Sequence, residues 1–350
     1  MLRISRIDEQ LSDLTKPQLG EAGTLEITEE DCLVLCAGFE ERALAFLKNA
    51  SSGGRRHFRV LVVKYLPAVS ENRIFEIEQI CRDSGLRQVG AEYDRRDPAG
   101  FGDVFLGELD SVRGRLYIDV SGMSRLLIIQ ILVALGGRDS GFSRSSILYS
   151  EASEYPPSKE EVEDAIAKSV VDPLYSILLL SSGVFEVTIV PELSSISPGS
   201  QQTRLVAFPS FNTDQLTALR TELQPSRYSI IHGVPPAPEN QWRKDAIARL
   251  NHTDGLEAEE SYSTSTLDYR ETLDLLLQIY AKHGATERIL IAPTGSKMQA
   301  AAVGIFKSFI GDVQIVYPTP TTFTSPKRHT VGVNRLYYLP LDSFSLPGRK

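Results

Sequence analysis

Short apolar runs alternate with amphipathic stretches along the whole chain, and their periodicity predicts strands alternating with helices. Cys32 to Ala37 is a continuous apolar run, as in a strand buried on both faces, and Gly38-Phe39-Glu40-Glu41-Arg42 leads from it into an amphipathic helix through Leu47. Phe58 to Leu66 predicts a second strand, ending at Pro67. Glu71-Asn72-Arg73 opens a helix that closes near Gly85, and Val89 to Tyr93 predicts a third strand. A fourth strand begins at Tyr117 and turns through Asp119-Val120-Ser121-Gly122-Met123-Ser124-Arg125 into the helical run Leu126 to Leu135; a fifth ends at Tyr149.

The same order recurs later in the chain. Strand Arg204 to Phe208, helix Thr213 to Leu223 and strand Tyr228 to Val234 are followed by Pro235, and Glu239-Asn240 opens a helix that closes before Gly255. Strand Arg288 to Ala292 turns through Thr294-Gly295-Ser296-Lys297 into the small, apolar helical run Met298 to Phe306, and a last strand ends at Tyr317. Gly183 to Pro191 reads like Gly332 to Pro340, so each is expected to close its own half. Strands separated by helices imply βαβ crossovers. The predicted fold is therefore α/β: two tandem Rossmann-like domains, each a mostly parallel sheet flanked by helices, related by pseudo-two-fold symmetry. The expected boundaries are an N-terminal extension over 1–29, a first domain over 30–193 with an insertion near 158–180, a polar linker over 194–202, and a second domain over 203–350.

Composition narrows the function classes. A hydrophobic fraction of 42% and a charged fraction of 23% are those of an ordinary globular protein. No apolar run approaches the roughly 20 residues of a membrane span, and the start of the chain lacks a signal-peptide core, so a cytoplasmic protein without membrane association is expected. The net charge of −8 argues against broad binding to duplex nucleic acid but not against a small anion in a local basic pocket. Three cysteines and five scattered histidines offer no metal-site spacing, so neither a metal nor a cofactor is expected.

In parallel α/β sheets ligands bind outside the carboxyl ends of the strands, and the distinctive polar motifs fall there. A strand turning through Thr294-Gly295-Ser296-Lys297 into a helix aims backbone N–H groups, hydroxyls and an ammonium at one spot, which favours a phosphate. The competing role for the same residues is helix capping. Ser121, Gly122, Ser124 and Arg125 form the counterpart in the first half, and two such turns predict two facing half-sites. Gly38, Glu40 and Arg42 follow the first strand, where the guanidinium suits a phosphate fork and the acidic residues equally suit a first helical turn. Asp119 can orient a ribose hydroxyl, assist a proton transfer or cap the next helix. Tyr149 and Tyr317 end late strands and can stack on a base, with Glu151, Glu154, Thr319, Thr321 and Thr322 beside them. The polar stretch 318–329, with Lys327 and Arg328, reads as a lid or a surface loop. The chain lacks a full Gly-x-x-x-x-Gly-Lys-Ser/Thr loop and a Gly-x-Gly-x-x-Gly after its first strand, which excludes P-loop and dinucleotide readings.

Ile291-Ala292-Pro293-Thr294-Gly295-Ser296-Lys297-Met298-Gln299-Ala300-Ala301-Ala302 resembles the strand-turn-helix signature of CRISPR-associated Rossmann-fold domains, the sensors of cyclic oligonucleotides. Ile118 to Arg125 is a weaker match, with Arg125 displaced by one place from the position of Lys297. The resemblance implies a nucleotide ligand, plausible within antiviral defence, held between two such domains. Thr294, Ser296 and Lys297 would be ligand contacts, and Ser121 and Ser124 would lie opposite. Family members usually pair as homodimers; here both halves come from one chain, and a homodimer stays compatible. Ser296 replaces a family glycine, and Met123 stands where a small residue is expected. With only Asp342 to Lys350 beyond Leu341, the effector is expected to be a separate protein. The alternative is an enzyme: a metal-independent, ring-nuclease-like phosphodiesterase using Lys297, Ser121 and Asp119, or a nucleoside-processing hydrolase using Asp119 or Glu40.

Overall fold

The computed structural model describes residues 11, 14–52, 57–171, 181–195, 202–251, 260–323 and 330–344. The chain forms two compact units, one built from residues 14–155 together with 330–344 and the other from residues 156–323. Among the described residues, no helix is long and apolar enough to cross a membrane.

The first unit contains β1 (Gly20–Glu21), β2 (Cys32–Ala37), β3 (Arg59–Leu66), β4 (Arg87–Asp94), β5 (Leu116–Asp119) and β6 (Ser145–Ser150). Five of these strands form a parallel sheet in the order β6-β5-β2-β3-β4, with a reversal of direction at β2 that defines a topological switch. Helices α1 (Ala45–Ser51), α2 (Ile74–Ser84), α3 (Phe101–Glu108) and α4 (Arg125–Gly136) cover its faces. β2 is buried at every position, as its unbroken apolar run predicts. α4 is apolar on nearly all sides, and Leu126 to Leu132 are buried without interruption. On the other face Leu33, Leu35, Val60 and Val62 pack against Phe46, Leu47 and Ile77.

The second unit contains α5 (Lys159–Val171), β7 (Ser181–Ser182), β8 (Glu186–Thr188), β9 (Gln202–Ala207), α6 (Thr213–Leu223), β10 (Arg227–Val234), α7 (Trp242–Leu250), β11 (Glu260–Ser265), α8 (Tyr269–His283), β12 (Glu287–Ala292), α9 (Lys297–Phe309), β13 (Gln314–Ile315), β14 (Tyr317–Thr319) and β15 (Thr322–Phe323). Its parallel sheet has the order β13-β12-β9-β10-β11, which matches the first unit strand for strand. Both sheets are Rossmann-like. Leu205, Ile230 and Leu290 pack with Leu216 and Leu219 of α6 to form one side of its core. The buried Lys307 ammonium donates to the carbonyls of Ser194 (3.0 Å), Gly311 (3.0 Å) and Val313 (2.9 Å), tying the segment before β9 to the end of α9.

Strand pairing divides the chain differently from the sequence pattern. Gly183 to Pro191 does not close the first sheet: its strand β8 pairs antiparallel with β14, Tyr317 opposite Thr188 and Thr319 opposite Glu186. Gly332 to Pro340 contributes β16 (Leu336–Pro340), which pairs antiparallel with β6, Leu336 opposite Ser150 and Pro340 opposite Ser146, and carries β1 on its far edge. Each unit is thus completed by a strand from the other half of the sequence. The two segments have the same alternation and the same terminal proline, so pattern alone cannot say which edge either one joins. Helix α5, read as an insertion in the first half, also belongs to the second unit. Tyr175 to Leu180 and most of the expected linker lie outside the described residues, as do Lys327 and Arg328.

Helix α8 and strand β11 have no counterpart in the sequence reading. α8 carries a signal that could have found it, an Asp268 cap three residues before Glu271, then Leu273, Leu276, Leu277 and Tyr280 at helical spacing. β11 reads Glu-Ser-Tyr-Ser-Thr-Ser and offers almost no apolar alternation, because it is an edge strand with one face in solvent.

Candidate functional site

In the first unit, the turn after β2 packs directly on the turn after β5. A Cβ added to Gly38 would lie 3.3 Å from the carbonyl oxygen of Gly122, and one added to Gly122 would lie 2.5 Å from that of Cys36 and 3.0 Å from Ala43 Cβ. Gly122 is therefore required by backbone approach, whatever binds nearby, while a side chain at Gly38 would only press on the neighbouring carbonyl. Gly122→Ala is expected to destabilise the chain by about 1–3 kcal/mol through overpacking, measurable as a lower urea midpoint with unchanged slope. A wild-type midpoint would refute the packing role.

The side chains around this turn are engaged with one another. The backbone N–H of Ser121 donates to Asp119 Oδ1 (2.9 Å), a local cap, and Ser121 Oγ accepts from the N–H of Ser150 (2.8 Å). Ser124 caps α4 by accepting from the N–H of Leu127 (3.2 Å), while its own N–H donates to the buried Tyr65 hydroxyl (2.5 Å). Arg125, at the first position of α4, is half-buried.

Arg42 is 4% exposed and points inward. It forks onto Glu40 (Nε–Oε2 3.1 Å, Nη2–Oε1 3.3 Å) and donates to the Tyr149 hydroxyl (3.3 Å) and the Ser150 carbonyl (3.1 Å). Thr330 donates to Glu40 Oε1 at 2.8 Å. Burial opposes the charge on Arg42, but Glu40 and the surrounding tyrosines outweigh it and hold the guanidinium above its ordinary pKa. Tyr149 bonds Tyr155 (3.2 Å) through its hydroxyl, and its ring stacks on Tyr337 at 6.3 Å and 21°. Burial and the neighbouring Tyr149 raise the Tyr155 pKa. Tyr155 and Thr330, absent from the sequence reading, complete a packed cluster in which Arg42 serves Glu40 and Tyr149 serves Tyr337.

In the second unit the Thr-Gly-Ser-Lys turn follows β12, beside β9 at the corresponding switch. Thr294 Oγ1 donates to the carbonyl of Phe208, just beyond β9. Ser296 and Gln299 form a reciprocal capping box: Gln299 N–H donates to Ser296 Oγ (3.1 Å) and Ser296 N–H to Gln299 Oε1 (2.8 Å). Ser296 Oγ also donates to the Thr266 carbonyl (2.7 Å), and Gln299 Nε2 to Thr264 Oγ1 (3.0 Å). Gly295 lies against Gln299 and Phe208 with no room for a side chain. Thr264, Thr266 and Gln299 escaped the sequence reading because two of them lie on or beside the unrecognised β11. The hydroxyls expected to face a phosphate are committed to holding the turn, and half-buried Lys297 stands at the first position of the 13-residue α9, where the helix dipole favours an anion.

Tyr317 and Thr319 are not at an open strand end. Both are buried in β14, and Thr319 Oγ1 meets Thr188 Oγ1 at 2.5 Å across the pair with β8.

No family model matches the chain, and no curated protein matches it. Among solved structures, the cytoplasmic domain of a prokaryotic cation chloride cotransporter aligns over 82% of this chain and 94% of that one, at 8% identity and a TM-score of 0.23. A ketoreductase domain from the bacillaene assembly line aligns over 86% of this chain and 71% of that one, at 12% identity and a TM-score of 0.18. Likeness at that level carries no argument, and the α/β assignment rests on the strand order itself.

Proposed function

We propose that this chain is a sensor of a nucleotide-type ligand, of the cyclic-oligonucleotide class that the turn at Thr294 to Lys297 resembles, and that it signals to a separate effector in antiviral defence. The observation that carries the reading is the shared strand order of the two sheets, each with its Ser-Gly or Thr-Gly turn at the topological switch where α/β folds bind ligands. On this reading the two units are tandem Rossmann-like copies related by pseudo-two-fold symmetry. Lys297 and the amino end of α9 receive a phosphate, while Thr294, Ser296 and Gln299 keep the turn rigid before the ligand arrives.

The test is thermal shift against a panel of cyclic and linear oligonucleotides, with product formation followed in the same samples. A ligand of this kind is expected to raise the unfolding temperature without being consumed. Lys297→Ala is expected to remove that shift while the ligand-free chain still unfolds cooperatively. Products that disappear with Lys297→Ala would favour the phosphodiesterase instead, and a chain indifferent to every nucleotide would overturn both.

A further inference from the structure

At the carboxyl ends of β9 and β10 the second unit carries an aromatic and guanidinium cluster outside the Thr-Gly-Ser-Lys turn. Phe211 follows β9 and Trp242 opens α7 after β10; their ring centroids are 6.2 Å apart at 46°. The Arg243 guanidinium lies 4.8 Å from the Trp242 centroid and 5.6 Å from that of Phe211, and it is fixed by donating to the Pro157 carbonyl at 2.9 Å. Both rings are half-buried, so each is partly open to solvent.

Two buried polar atoms, one on β10 and one just beyond the end of α7, have no hydrogen-bond partner. Asn251, just beyond α7, donates through Nδ2 to the carbonyl of Ser210 (2.7 Å), next to Phe211, yet its Oδ1 is buried and unpaired. His232 of β10 is 9% exposed, and its Nδ1 is likewise unpaired. It shares a strand face with Ile230, which packs on α6, and the charges that act on it are Lys244 and Asp245 in the first turn of α7, the helix that presents Trp242. Burial and Lys244 lower its pKa, so the imidazole is neutral at pH 7 and offers one donor and one acceptor. A buried polar atom left without a partner costs about 1–3 kcal/mol, so an unpaired acceptor on Asn251 and an unpaired ring nitrogen on His232 call for a ligand that supplies the missing partners.

We infer that Phe211 and Trp242 form a stacking subsite for a planar heteroaromatic ring of nucleobase type, with Asn251 Oδ1 and His232 Nδ1 reading hydrogen-bonding groups on the ring edge. The inference rests on the nucleotide reading above and adds a place for the base, separate from the phosphate end at Lys297. Stacking needs only a π-face and is worth about 1–3 kcal/mol per base, roughly five- to 150-fold in affinity.

Trp242 is the only tryptophan of the 350 residues, so indole fluorescence reports on this subsite alone. Titrating the full chain with the four nucleoside 5′-monophosphates and with ribose 5-phosphate, while following fluorescence and thermal shift together, tests the inference. Expected are saturable quenching by at least one base-bearing nucleotide, no quenching by ribose 5-phosphate, and about tenfold weaker quenching in Phe211→Ala. Asn251→Leu, which leaves the rings in place, is expected to weaken binding while Trp242 still reports it. A nucleotide that stabilises the chain without changing the fluorescence would overturn the subsite and leave the nucleotide reading intact. Silence in both signals for all four nucleotides would likewise overturn the subsite, while the nucleotide reading itself stands or falls with the oligonucleotide panel.

Discussion

Replacing Arg204 with alanine is expected to cost about 3–5 kcal/mol of unfolding free energy, the magnitude for removing one partner of a buried ion pair. Arg204 is 2% exposed and sits toward the amino-terminal end of β9, opposite the end that carries the polar turns. Its guanidinium forks onto Glu287 (2.5 and 3.2 Å) and reaches Ser229 Oγ (2.9 Å) and Glu260 (3.4 Å), so one side chain on β9 ties together β10, β11 and β12. Glu260 further accepts from Lys282 and lies 3.1 Å from His283 Nε2 through each oxygen. Without Arg204 the largely buried Glu287 loses its guanidinium fork, while Glu260 keeps only Lys282, His283 and Ser229. Urea unfolding of Arg204→Ala measures the loss. A triple change of Arg204, Glu260 and Glu287 to Met, Leu and Leu is expected to be far milder, because it removes the charges along with their pairing. If the triple variant were as unstable as Arg204→Ala, packing and not charge would be the cause.

The same cluster gives the second sheet a pH dependence of defined sign. Burial pushes the Glu260 carboxyl upward, but hydrogen bonds from Lys282, His283 and Ser229 outweigh it and hold the pKa at about 2, against an ordinary 4.5. A carboxyl depressed on folding contributes stability that is complete above the unfolded value and lost as pH falls through the folded one. Stability is therefore expected to decline between about pH 4.5 and pH 2, with a smaller slope in Glu260→Gln.

A fragment cut according to the sequence repeat is expected not to fold. Residues 14–193 contain β1 to β6 but lack β16, which pairs with β6 along five residues and brings the fully buried Leu339 and Leu341. The fragment also carries β8 without β14, an unpaired strand with Phe185 and Ile189 exposed beside it. Loss of cooperative unfolding and aggregation are the expected results. Joining residues 14–155 directly to 330–350 through a short turn should restore a cooperative transition, because Glu154 and Val331 already form an antiparallel bridge with two backbone bonds of 3.1 Å. Calorimetry of the two proteins decides the matter. Cooperative melting of the first and none of the second would refute the strand assignment.

The parallel core was legible because its signal is local. β2, β3, β5, β9, β10 and β12 are apolar runs bounded by turn residues, and α6 falls on the expected bounds of Thr213 and Leu223. Polar edge strand β11 was not legible, and neither was the network of Thr264, Thr266 and Gln299, since a hydroxyl aimed at a ligand and one aimed at a neighbouring carbonyl are the same letter. Arg42 shows the same ambiguity. Its place after a first strand suits a phosphate, yet Glu40, Tyr149 and Ser150 take its donors.

What the sequence determined by itself is the succession of strands and helices, the position of the polar turns at the carboxyl ends of the strands, and the glycines at those turns, all set by periodicity and backbone conformation over a few residues. Tertiary structure decided which strand closes which sheet and which polar side chains are consumed in holding the turns. Strand closure depends on partners more than 100 positions away, as Tyr337 opposite Tyr149 and Tyr317 opposite Thr188 show, and the turns are held by partners that range from Gln299 beside Ser296 to Phe208 for Thr294. Backbone edges accept any strand of suitable alternation, so long-range pairing is settled by chain path and burial and leaves no local trace in the sequence.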